Sequence, residues 1–278
     1  MKKLILALAV CFAFVSYAIV TKSDTKLNNI ERLEKKINVL KAERKNIYSK
    51  LPPLRDEMRV AMEKRRTLKE KIISLERNKV LGVTYYKALI EKKENDVKNL
   101  TLFAAEYSIY PDLNKINLDI DKAKIELIKA EIKAGKMPEV PLDVAKAMIK
   151  YSKAVVKLNE ARIKAIDAKI KEKEAYIEWI EFDVEMLKKV EETIKNTDDF
   201  ARSLYNTNTN IEFAELGYKQ TKLELKLKQV RRKRVQLEIQ QAQTHAESCK
   251  NEHKFYKTIL KFEKVIDEKN LKKFLNRD

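Results

Sequence analysis

From Leu142 to Ile194 one seam repeats in alternating steps of three and four residues. It reads Leu142, Ala145, Ile149, Ser152, Val156, Asn159, Ile163, Ile166, Ile170, Lys173, Ile177, Ile180, Val184, Leu187, Glu191, Ile194. A mean spacing of 3.5 residues keeps these positions on one side of an α-helix and would scatter them over both faces of a strand. A segment built this way folds as a long helix lying lengthwise against another. The composition supplies little else. Only 3 Gly and 5 Pro occur in 278 residues, and 37% of residues are charged, so tight turns and alternating strands lack their material.

Other stretches carry the same spacing. Ile30, Leu33, Ile37, Leu40, Ile47 and Leu51 stripe the first, with Arg44 as its one polar member. Leu54, Met58, Ala61, Leu68, Ile72 and Leu75 begin a second that continues through Tyr86, Leu89, Leu100, Phe103 and Tyr107, interrupted at Arg65, Lys79, Gly82, Lys93 and Asp96. Leu113, Ile116, Ile120, Ala123, Leu127 and Ala130 form a third. Breakers divide these runs. Leu51-Pro52-Pro53, Tyr110-Pro111-Asp112 and Gly135 to Pro141 are expected joints, and Asn196 to Asn208 frames a fourth. Thr209 and Glu212 have capping-box spacing, which predicts a helix start there.

The predicted helices run from Leu27 to Leu51, Leu54 to Ser108, Leu113 to Ala134, Leu142 to Lys195 and Asn210 to Ile266. The three longest are each about 80 Å at 1.5 Å per residue. Tyr176, Trp179, Phe182 and Met186 lie outside the seam and widen the apolar stripe beyond what a simple dimer needs. The predicted fold is therefore all-α: an elongated antiparallel coiled coil or long helical bundle, one domain over residues 19–278.

Ahead of it, Lys2 and Lys3 precede an apolar run from Leu4, and Ser16-Tyr17-Ala18 offers small residues for cleavage. Residues 1–18 read as a signal peptide. The rival is an uncleaved anchor reaching Val20, since the apolar stretch is close to the minimum for spanning a bilayer. Either way the chain is expected to be exported: periplasmic, on the cell surface, secreted, or held to a membrane by its N-terminus. Loss of the leader removes Cys11 and leaves Cys249 as the only thiol, so no intramolecular disulfide is expected. It also takes the net charge from +18 to +16 by removing Lys2 and Lys3. That excess favours acidic partners such as anionic membrane surfaces or acidic clients, while the mixing of 60 basic with 42 acidic residues marks a solvated helical surface.

Three residues look chemical. His245, Cys249 and His253 recur every four residues on one helical stripe, with Glu252 adjacent. Imidazole and thiolate ligate zinc, but a stable site needs four ligands in tetrahedral geometry, and three residues over two turns do not converge unaided. The plainer reading places them beside a polar interruption of the last seam, formed by Gln241, Thr244, Ser248 and Asn251. The run Arg231, Arg232, Lys233, Arg234 surrounds its helix and has no interleaved aromatic for base stacking, so it reads as solvated surface, and export argues further against nucleic acid. No phosphate-cradling glycine loop, nucleophile elbow or His-Glu-x-x-His motif is present, so neither an enzyme nor a cofactor is expected.

The stretch Lys133-Ala134-Gly135 to Pro141-Leu142-Asp143-Val144, with Ala145, Ala147 and Ala161, resembles the joint between hairpin helices of TolC-like outer-membrane efflux proteins. That resemblance implies a hairpin component of an envelope complex. The barrel strands of such proteins are not evident, because Tyr205 to Phe213 is Asn-rich and short. In being exported, basic and built of helical hairpins, the chain is also similar to Skp-like periplasmic chaperones, which implies a holdase with a cationic cradle. The residues themselves point to a non-enzymatic structural or adaptor coiled coil, a spacer with interaction surfaces for protein partners or for a second copy of itself. Polar seam residues usually fix register or partner choice at a cost in stability. The segment from Gln241 to His253 is accordingly expected to be a locally weak interaction site, made sensitive to pH by its two histidines. Hydrogen exchange checks this: amides there should exchange faster than those from Ile163 to Leu187, and equal protection would remove the expectation.

Overall fold

A computed structural model describes residues 28–135, 140–195 and 207–262. Among them the chain is all-α and contains no strand. Helix α1 covers residues 28–48, α2 Leu51–Arg77, α3 Val83–Ala134, α4 Leu142–Lys195 and α5 Thr207–Lys261. The leader, the joint at 196–206 and the predicted end of the last helix at Ile266 lie outside the described residues.

The chain divides into two compact units. Among the described residues, one comprises 28–45, 114–135, 140–160 and 242–262. Its core is Ile128, Val140, Val144, Ala145, Phe255 and Ile259, so α3, α4 and α5 each contribute. On α1, Ile30 and Ile37 are buried, and Arg44 donates to Asn117 on α3 at 3.2 Å. The other comprises residues 46–113, 161–195 and 207–241. There Arg55 meets Glu106 at 2.9 Å, Asn95 donates to the Ala61 carbonyl at 2.9 Å and Lys64 meets Glu91 at 3.2 Å. Partner numbers fall along α3 as they rise along α2, so the two helices are antiparallel. The same holds for α4 and α5, where Glu178 pairs with Lys226 and Glu172 with Arg231.

Helix ends follow local chemistry at two predicted joints. Pro52 and Pro53 occupy the first turn of α2, where a missing N–H leaves nothing unsatisfied. Gly135 closes α3 at φ +68°, a conformation that costs a glycine nothing. Two expectations need correction. Thr209 lies within the first turn of α5, because the helix already begins at Thr207. More substantially, no break occurs at Tyr110-Pro111-Asp112, since α3 runs through Pro111. Glu106, Leu113, Ile116 and Ile120 are buried in one continuing heptad step across the proline. That packing outweighs the roughly 3 kcal/mol an interior proline costs. The seam from Leu54 is instead divided at residues 78–82, where the Lys79 N–H bonds the Glu76 carbonyl at 3.1 Å and the Val80 N–H bonds that of Leu75 at 2.9 Å. These are the two bonds of a Schellman cap, with Lys79 at φ 54° in the position glycine favours.

A lysine in the left-handed region carries a penalty of about 1 kcal/mol relative to glycine. Lys79→Gly should therefore stabilise the chain by about that amount in chemical denaturation. A loss of stability would show that Lys79 contributes something beyond the cap.

Candidate functional site

The heptad spacing that buries one side of a helix also lines up the residues beside it, and in the first unit this builds a groove. Asp143, Lys146, Ala147 and Lys150 lie on the first turns of α4, and Asn251, Lys254, Phe255, Thr258, Lys261 and Phe262 at the end of α5. Together they enclose about 410 Å³. The floor is apolar: Phe255 is buried, and Tyr151 stacks on it with ring centroids 5.9 Å apart and planes 10° from parallel. The rim is cationic. Lys146, Lys150, Lys254 and Lys261 are all exposed, and none has an ion-pair partner among the described residues. Asp143 supplies the one negative charge of the lining. Four ammonium groups over an aromatic floor suit a ligand that is both acidic and apolar, since carboxylates meet charged donors while apolar groups leave water.

The second unit has its own groove between α4 and α5, lined by Glu178, Phe182, Lys219, Lys222, Leu223 and Lys226 among others. Lys226 is occupied by Glu178 at 2.5 Å. Lys219 and Lys222 are exposed without an ion-pair partner among the described residues. Periodicity reading passed over all these lysines because each is unremarkable in a lysine-rich chain. Their spacing by three, four or seven residues beside the seam, as in Lys146 and Lys150, Lys219 and Lys222, and Lys254 and Lys261, was the available signal.

Two of the three predicted site residues meet. His245, Cys249 and His253 are all exposed on α5, and Cys249 Sγ lies 3.7 Å from His245 Nε2. Among the described residues no three His, Cys, Asp or Glu side chains gather as a metal site. The polar seam beside them packs inward, with Ser248 buried and Gln241, Thr244 and Asn251 half-buried. The basic run is divided in use. Arg231 and Arg234 both reach Glu172 on α4, at 2.9 and 2.7 Å, and Arg231 also lies over the Tyr176 ring, while Arg232 and Lys233 stay exposed. Three of the four are exposed as solvated surface, and Arg231 with the half-buried Arg234 also acts as an interhelical clamp. No described helix is long and apolar enough to cross a membrane. Comparison with known protein families, curated proteins and solved structures found no match.

Burial, with the nearby Glu252 charge, pushes the Tyr151 hydroxyl up to about 12, and it donates a hydrogen bond to Glu252. An unfolded chain would release that proton at about 10. A raised folded-state value means the contribution to stability is complete below about pH 10 and is lost as the pH climbs to about 12, because the unfolded state deprotonates first. Tyr151→Phe should cost about 1 kcal/mol near neutrality through the lost hydrogen bond. Denaturation series should show that gap closing over the alkaline window, and a gap independent of pH would contradict the assignment.

Proposed function

We propose that the chain is a non-enzymatic, exported adaptor whose packed helices present lysine-rimmed, aromatic-floored grooves to acidic segments of partner proteins. The observation that carries this reading is the set of lysines, Lys146, Lys150, Lys254 and Lys261, that stand around Phe255 without an ion-pair partner among the described residues. Other helix contacts are made by interhelical ion pairs such as Lys226 with Glu178 and Lys64 with Glu91, so four cations without a carboxylate partner among the described residues at one groove favour an external anion. Long-range attraction brings an acidic segment in, and apolar burial on the ring retains it. Both described grooves are lined without histidine or cysteine, which supports binding over catalysis. Export rests on the leader, and placement in a periplasm, at a cell surface or in the medium follows from it. The helices then serve as the spacer between whatever the grooves hold.

A holdase is the second reading, favoured by one observation: each unit has a groove of the same chemistry. Repeated, weakly selective sites suit capture of unfolded acidic clients.

A fluorescent peptide with alternating Glu and Phe or Leu residues tests the proposal by titration into the chain. Binding should weaken by about tenfold between low and physiological salt, as screening shortens the reach of exposed charges. Charge reversal by Lys146→Glu with Lys254→Glu should abolish it. Equal binding of a lysine-containing counterpart would sink the adaptor reading. Suppression of aggregation of a denatured acidic protein, fading with salt, would move the assignment to the holdase.

A further inference from the structure

On α5 the packed side and the side opposite it both carry heptads. Ser248, Phe255 and Ile259 are buried, and the polar seam lies in line with them. Facing away are Ala242, Ala246, Cys249, His253, Tyr256 and Leu260, spaced by four, three, four, three and four residues and all exposed. The same register continues back along the helix to Ile239 and Val235, then past Arg232 and Lys228 to Leu225, Tyr218 and Ile211. The large members are well exposed: Tyr256 is 51%, Leu260 62%, Ile239 53% and Tyr218 74% accessible. A helix has no reason to sustain such a stripe toward water. Scattered exposed apolar residues are ordinary on a protein surface, but a seam in one register is what a neighbouring helix reads.

We infer that this outer face of α5 docks a second copy of the chain, parallel and in register, as a two-stranded coiled coil. Three features of the face select that occupant. An a/d stripe is complementary to itself, so two identical helices supply each other's knobs and holes across a two-fold axis. The flanks then decide direction. In a parallel pair Glu252 of one copy faces Lys257 of the other, twice by symmetry. An antiparallel pair would set the flank carrying Lys250 and Lys257 against itself. Glu252 also accepts from Tyr151, and its carboxylate has a second oxygen for the lysine. Finally, Ala242, Ala246 and Cys249 are small. Small seam residues allow close helix approach but give too little apolar depth to anchor in a lipid surface. Between Ala242 and Leu260 His253 is the polar seam member that fixes register, and Cys249 faces its own counterpart. Of this face only Leu225 also lines one of the lysine-rimmed grooves, and the substitutions that test the inference lie outside both, so it stands or falls apart from the proposed function.

Sedimentation and cross-linking test it on the full chain in a Cys11→Ser background. Oxidised glutathione is the probe: a Cys249–Cys249 bond forms as two thiols give up two electrons and two protons, and the reagent leaves as two reduced glutathiones. A dimer that cross-links through Cys249 is expected. Moving the thiol to Tyr256→Cys with Cys249→Ser should cross-link equally well, because parallel registration matches every seam position with itself. Ile239→Asp and Leu260→Asp, at exposed positions, should raise the dimer dissociation constant by at least about tenfold. Lys257→Glu should weaken the dimer by its charge alone with helicity unchanged. A chain that is monomeric at every concentration overturns the inference. So does linkage at 249 but not at 256, which marks an antiparallel pair, or cross-linking indifferent to the seam substitutions. Recruitment of the monomer to phosphatidylglycerol vesicles through the same residues would overturn it in favour of a lipid surface.

Discussion

Helix α4 has to be apolar on two sides at once, and the packing of both units depends on it. One side is the seam with Ala145, Ile180 and Val184 buried, and with Asn159 donating to Asp121 of α3 at 3.0 Å. The other is a second heptad series through Tyr151, Ala154, Leu158, Ala165, Ala168, Ala175 and Phe182, in which five members beyond Tyr151 and Phe182 are Ala or Leu. From this side Tyr151 stacks on Phe255, and Glu172, in the same series, receives Arg231 and Arg234. Small alanines let α5 approach closely, and the aromatic and charged members then fix its position along α4. Loss of either seam would leave α3 or α5 without a surface to cover, which a single long helix in water cannot sustain.

The seams were legible because burial of Ile, Leu and Ala at heptad spacing is what drives these helices together, and periodicity records that requirement directly. What was not legible has a common physical origin. Proline at 111 is a local instruction to stop, and the tertiary packing of Glu106, Leu113, Ile116 and Ile120 overrode it. Residues 78–82 are the converse: Asn78 and Gly82 are weak local signals, and Lys79 in a strained conformation completes the cap because the chain has to turn there. Sequence pattern weighs only the local term of each balance.

Polar burial was hidden for a related reason. The first half of α3 buries Asn95, Asn99 and Glu106, which no hydrophobic count can flag. Asn95 is satisfied by the Ala61 carbonyl, and Glu106 by Arg55 and the Tyr110 hydroxyl at 3.1 Å. Asn99 Oδ1 has no hydrogen-bond partner among the described residues and borders a cavity of about 170 Å³. Replacing such groups by leucine would strengthen the apolar term, but it would also erase differences between neighbouring heptads. A helix with identical heptads can slide by one repeat at little cost. A side chain that is satisfied in only one alignment makes the others expensive, because the displaced group is left desolvated and unpaired.

The same accounting of partners explains why a strongly basic chain need not be uniformly sticky. Its excess is spent unevenly. Glu172 takes two arginines, Asp96 takes Arg65 at 2.6 Å and Lys92 at 3.1 Å, and Asp183 takes Lys93 at 2.5 Å. Arg231, Arg234, Arg65 and Lys93 are committed to carboxylates on neighbouring helices and Lys92 to one on its own helix, and they present little field to an approaching partner. Lys146, Lys150, Lys254 and Lys261 have no such carboxylate within the described residues, and they stand where Phe255 and Phe262 provide an apolar surface. The net charge of the chain is thus a poor guide to where it acts. Local imbalance, cations without carboxylates beside a ring that can desolvate them, distinguishes a binding surface from the solvated remainder of a charged helix.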